Sequence, residues 1–183
     1  MASRKGSKRK GNKYENAIAK IVRNHLVPEG IDPKIAYNLL HRTGMSGART
    51  ERGDMIIQPP LLEYFPYFFE CRDREEWSFY QVTKSPQDCV LTRWYWKDAV
   101  AKCHAHAGTH HRYPMLVFTR HQCPNYFMML TDHIDTRALD RLSWRFYLTI
   151  PDVIAGLTIG LFQEFLEAHP APSPEIFDGL DFK

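Results

Sequence analysis

Asp54 and the tripeptide Glu70-Cys71-Arg72 have the residue types and spacing to act on a phosphate. Asp54 follows Gly53 and opens the apolar run Met55-Ile56-Ile57, whereas Glu70 closes the run Tyr67-Phe68-Phe69. Both runs have strand length and are bounded by Gly or Pro, which predicts a hairpin or two neighbouring strands. Adjacent strands lie about 4.8 Å apart, so carboxylates on facing positions can converge on one hard cation such as Mg²⁺. Arg72 shares the face of Glu70 because strand side chains alternate. Two acids and one cation on a face suit phosphodiester hydrolysis. A metal polarises the phosphate and activates a water, and the cation steadies charge in the transition state.

Further residues fall in order around this core: Gly11-Asn12-Lys13-Tyr14-Glu15, Arg42-Thr43-Gly44-Met45-Ser46-Gly47, Gly53-Asp54, Glu70-Cys71-Arg72, Glu76-Trp77-Ser78 and Met115-Leu116-Val117-Phe118. In this order the chain resembles the PD-(D/E)XK nuclease superfamily, over roughly its first 130 residues. Within it, the chain is most similar to archaeal Holliday junction resolvases and phage resolvase-like endonucleases. The resemblance implies an α/β, restriction-endonuclease-like fold with a mixed central sheet of four or five strands flanked by helices. It implies a metal-dependent DNA endonuclease in which Glu15, Asp54, Glu70 and Arg72 are catalytic. Mg²⁺ or Mn²⁺ would be held by Asp54, Glu70 and the backbone carbonyl of Cys71, with Glu15 binding directly or through a water. A junction resolvase would also be a two-fold homodimer, with aromatics near Trp94 as candidate contacts.

The chain departs from this pattern at Arg72, where the superfamily usually carries Lys. A guanidinium can hold phosphate oxygens but does not deprotonate at working pH, so it cannot be a general base. Lys84, in the segment beyond the strand, is the candidate substitute. The departure also keeps open a second function, a nuclease-fold module that binds DNA but cuts poorly or not at all.

The elements that must position these groups follow from periodicity. Residues 1–11 are expected to be a flexible basic arm, 12–168 a single domain and 169–183 a Pro-rich, extended tail. Tyr14, Ala17, Ile18, Ile21 and Val22 predict an amphipathic helix from Asn12 to about Leu26, with Glu15 on its edge. Ile31 to Leu40 are expected to form a connection and then a strand. Gln81 is placed near the site as a partner for phosphate or a metal-bound water. Pro86 to Ala107 are expected as a helix, then strands at Met115–Thr119 and Tyr126–Leu130, with Trp144–Thr149 as another strand or a docking segment. Pro151 and Asp152 are expected to open a helix whose Val153, Leu157, Leu161 and Phe165 share a face.

The charge pattern points to a polyanion. The net charge of the 183-residue chain is only +3, but Arg4, Lys5, Lys8, Arg9, Lys10 and Lys13 all precede the first acid, Glu15. These residues, with Arg42, Ser46, Arg49 and Arg52 in the glycine-containing loop, are the expected DNA contacts. That loop lacks the Lys-Ser/Thr ending of a P-loop, and Ser46 does not sit in a Gly-x-Ser-x-Gly elbow. No apolar run is long enough to span a membrane, and the basic start lacks the apolar segment of a secretory signal. Four cysteines require no disulfide, which fits a reduced cytoplasm, bacterial, archaeal or in a phage-infected cell. Cys103, His104, His106, His110, His111, His121 and Cys123 have the residue types of zinc ligands, but they lack the pairing of a zinc motif.

Overall fold

The computed structural model describes residues 4–43, 53–105, 112–150 and 153–177. Five strands form one mixed sheet: β3 (Tyr67–Asp73), β4 (Tyr113–Thr119), β5 (Tyr126–Leu130), β6 (Arg145–Ile150) and β7 (Val153–Leu161). Their spatial order is β3-β4-β5-β7-β6. β3 and β4 are parallel, with Glu70 beside Leu116, and the other pairs are antiparallel. A separate antiparallel ribbon pairs β1 (Leu40–Arg42) with β2 (Met55–Ile57). The expected α/β architecture is therefore the one observed.

A parallel pair needs a crossover. Here it comprises α4 (Phe79–Lys84), α5 (Val90–Trp94), a π-helical turn (Tyr95–Val100) and α6 (Ala101–Ala105). β3 and β4 are buried along most of their length, which their nearly unbroken apolar runs require. Short helices α3 (Leu61–Tyr64) and α7 (Thr136–Arg141) lie in the connections, and Tyr67 and Phe69 meet Phe165 and Phe162 of α8 (Phe162–Ala168), so the odd-numbered face of β3 packs on that last helix. Glu70 and Arg72, on the even-numbered face, meet the π-turn and α6 through Asp98 and Lys102.

Several elements differ from expectation for identifiable reasons. Helix α1 runs Arg4–Leu26 and takes in the basic stretch expected as an arm. Lys and Arg are good helix formers, and the buried Ile18, Val22 and Leu26 anchor the helix they extend. Residues before Leu40 form a helix, α2 (Pro33–Leu39), because Asp32 caps it by accepting from the Lys34 N–H at 2.7 Å and Pro33 occupies the first turn. Ser78 and Gln81 form a capping box that starts α4. The Gln81 side chain thus accepts from the Ser78 N–H instead of serving the site.

The largest revision is β7, expected as a helix. Its i, i+4 apolar spacing is equally compatible with a strand rich in β-branched residues, and Gly156 and Gly160 disfavour a helix. Gly156 has φ +63°, and a Cβ there would lie 2.5 Å from the Tyr147 hydroxyl, next to the bulge between Leu148 and Ile150. The tail is partly docked: Phe177 is buried in a 3₁₀ turn, and the Tyr64 hydroxyl donates to the Pro170 carbonyl at 2.6 Å.

Candidate active site

The short ribbon delivers Asp54 to β3 by backbone hydrogen bonds on both sides. Thr43, just after β1, donates its N–H to the Asp54 carbonyl at 3.1 Å and its hydroxyl to the Gly53 carbonyl at 3.0 Å. Asp54 in turn donates its N–H to the Phe69 carbonyl at 2.9 Å. Gly53 is required at this crossing. Its φ is +65°, and a Cβ would stand 2.5 Å from the Phe69 carbonyl oxygen. β2 and β3 are therefore neighbours, joined at this crossing instead of by a continuous ladder.

The Asp54 carboxylate accepts from the Cys71 N–H at 2.7 Å. Burial and then the negative charges of Glu70 and Glu15 push its pKa up to about 7, against the pull of that N–H and of Arg72. Glu70 is only 1% exposed. Its Oε1 forms an ion pair with Arg72 at 2.5 Å and accepts from Lys102 at 2.7 Å, while its Oε2 is buried with no hydrogen-bond partner. Such an orphaned carboxylate oxygen is costly, of order 1–3 kcal/mol or more for a charged group, and calls for a cation.

Arg72 is held by three acceptors: Glu70, Asp98 at 2.7 Å and the Cys71 carbonyl at 3.0 Å. Burial works against its charge, but Glu70 and Asp98 outweigh burial and hold its pKa above the usual arginine value. Burial, the largest cause, also raises the Cys71 thiol well above its ordinary pKa, so the thiol stays protonated. Glu15 is paired with Arg42 at 2.5 Å, and Arg42 also donates to Asn12 at 2.8 Å, while the Glu15 charge still acts on Asp54. Among the described residues no three Asp, Glu, His or Cys side chains stand together as a metal cage.

The remaining expected contacts are scattered. Lys10 pairs with Asp73 at 3.0 Å and Glu75 at 3.3 Å, and the Asp73 hydrogen bond raises its pKa. Lys13 is exposed on α1. Ser46, Arg49 and Arg52, and the side chains of Arg4, Lys5, Lys8 and Arg9, lie outside the described residues. So do His106, His110 and His111 of the Cys/His set. Cys103 is buried, and its thiol, raised to about 11 by burial, donates to the Arg112 carbonyl. Lys84 lies over the Tyr80 ring and does not reach Glu70. Tyr95 is fully buried, and its hydroxyl accepts from the Leu130 N–H, so it is a core residue.

The sequence matches the family described as "Phage putative PDDEXK endonuclease" over residues 6–165. The chain belongs to this family. No curated protein and no solved structure matches it. The family places the chain among the PD-(D/E)XK nucleases, enzymes that generally use divalent metals. Among the described residues no helix is long and apolar enough to cross a membrane.

Two residues at this candidate site are not singled out by the sequence pattern, Asp98 and Lys102. Both lie in the segment expected as a helix, at i, i+4 spacing. That spacing is a usable signal that both face one way. Their partners, Arg72 and Glu70, are set by the crossover and are invisible in a local pattern.

Proposed function

We propose that the chain is a metal-dependent DNA endonuclease that hydrolyses phosphodiester bonds. One observation carries this reading: buried Glu70 has an oxygen without a partner at the point of β3 that also binds the Asp54 carboxylate through the Cys71 N–H. The donor set fits a hard cation, since it offers two carboxylates and a carbonyl while the neighbouring thiol stays protonated. Asp54 and Glu70 would hold Mg²⁺ or Mn²⁺, with the Cys71 carbonyl as third donor once Arg72 releases it. When bound, the cation supplies a polarised phosphate and an activated water.

The protein's own groups do the rest. Arg72, anchored by Asp98, compensates the buried charge of Glu70 beside the proposed metal donors. Glu15, braced by Arg42, stands as an outer acid that orients water or the metal's hydration shell. Lys13 and the other basic residues of α1, with Arg42, Ser46, Arg49 and Arg52, would hold the DNA backbone. Affinity should then fall steeply with salt as neutralised phosphates release counterions. Branch specificity is the finer part of the proposal: a junction resolvase would act as a two-fold homodimer so that two symmetric strands are cut. Light scattering with and without DNA tests the dimer.

The second reading, a DNA-binding module with little cleavage, draws support from Arg72, which occupies the usual lysine position and is tied to three acceptors. One assay separates the readings. Labelled four-way junction, linear duplex and single strand are incubated with Mg²⁺, Mn²⁺ or EDTA. Metal-dependent paired cuts in the junction, lost in Glu70→Gln, support the resolvase form. Cutting of all three substrates supports a general endonuclease. Salt-sensitive binding without cleavage, restored to cleavage by Arg72→Lys, supports the binding module.

A further inference from the structure

We propose that Lys102, and not Arg72, is the cation that meets the scissile phosphate, an assignment that rests on the endonuclease reading above. The two cations share Glu70 Oε1 but are held differently. The Arg72 guanidinium is fixed by a carboxylate on its own strand, by Asp98 and by a backbone carbonyl, and its side chain is 22% exposed. Moving it onto a substrate breaks three contacts. Lys102 reaches Glu70 from α6 at 2.7 Å with a side chain 42% exposed, so its ammonium lies on the solvent side of a buried carboxylate. An ammonium has three donors, and Glu70 is its one partner among the described residues. Its flexible stem lets it follow a phosphate while it stays near Glu70.

The local fold supports this division. The π-turn Tyr95–Val100 ends with the Ala101 N–H reaching the Trp96 carbonyl, a five-residue step that places an extra residue in the turn. Asp98 within the turn and Lys102 just after it then both face β3, where one clamps Arg72 and the other reaches Glu70. Arg72 is thus a positioning residue that compensates Glu70. Lys102 is the catalytic residue: its ammonium stabilises charge on the phosphate oxygens. Water forms the new P–O bond and releases a proton to solvent. The P–O bond to the leaving sugar oxygen breaks, and that oxygen takes a proton from solvent.

The test compares wild type, Lys102→Met, Lys102→Arg and Asp98→Asn. It measures single-turnover cleavage of labelled DNA with Mg²⁺, DNA affinity in EDTA, and Mn²⁺ affinity by calorimetry. In Lys102→Met the cleavage rate should fall by about 10²–10³-fold, with DNA affinity within about threefold of wild type. Mn²⁺ should bind as tightly or more tightly, because one cation no longer competes for Glu70. Lys102→Arg should recover at least about tenfold of the lost rate, whereas Asp98→Asn should cost less rate than Lys102→Met. Cleavage by Lys102→Met within about threefold of wild type would overturn the assignment while leaving the endonuclease reading intact. Equal losses of cleavage, DNA affinity and Mn²⁺ affinity would overturn it in favour of a structural role. A wild type that cuts no DNA with either metal would overturn the endonuclease reading, and the assignment with it.

Discussion

Glu15 and Glu70 are both acids held by arginines, yet the two clusters are built differently. At the α1–β1 contact, Glu15 and Arg42 are matched one to one, both half-buried, and Asn12 takes up a further donor of the guanidinium. At the β3–crossover contact, Glu70 is buried, draws two cations to one oxygen and leaves the other oxygen without a partner. The first is a satisfied brace that water can still reach. The second is an unbalanced site, in which buried charge is compensated from one side only. The contrast marks Glu70 and its neighbour Asp54, more than Glu15, as the place where a cation or a phosphate has most to gain.

The largest effect should come from removing the acids themselves. Glu70→Gln should reduce single-turnover cleavage by at least about 10³-fold, whereas Glu15→Gln should cost nearer tenfold. Equal losses would erase the distinction between the clusters. Urea denaturation gives the next comparison. Arg72→Met leaves Glu70 with Lys102 alone and should destabilise the fold by about 3 kcal/mol, against about 1 kcal/mol for Arg42→Met.

Gly53→Ala should cost about 1–3 kcal/mol, because the backbone there is left-handed and the Phe69 carbonyl cannot recede without disturbing β3. Its cleavage should fall as well, since Gly53 sets the crossing that aims Asp54. Thermal melting at several pH values tests the smallest effect. The Asp54 pKa is raised to about 7 when folded, so the folded state prefers this group protonated. Stability in EDTA should therefore decline as pH rises from the ordinary aspartate range through about 7, by a few degrees in melting temperature. Asp54→Asn should flatten that decline, and saturating Mn²⁺ should reverse it in the wild type. A slope unchanged by Asp54→Asn would assign the pH response to other groups.

Local pattern carries much of the fold. The apolar runs of β3, β4, β5 and β6 are long enough and bounded clearly enough to read as strands, and the buried stripe of α1 follows helical spacing. Two further helix starts have local signals that periodicity alone passes over: Asp32-Pro33 for α2 and Ser78-x-x-Gln81 for α4. β7 reads as a helix because Val153, Leu157, Leu161 and Phe165 satisfy a helical period, while the strand is decided by pairing with β5 and β6 on both sides.

By itself, the sequence determined the residue types able to bind a hard cation, their order along the chain, and the strand that puts Glu70 and Arg72 on one face. These depend on side-chain chemistry and on the two-residue alternation of a strand, both of which are local. Only the tertiary structure decided which charges meet. It paired Glu15 with Arg42, clamped Arg72 to Asp98 and brought Lys102 to Glu70 across 32 positions of chain. Those choices depend on how the crossover packs against β3 and how the ribbon docks at Gly53. Coulombic and hydrogen-bond energies fall off within a few ångströms, so partners are set by position in space and carry no signature in sequence spacing.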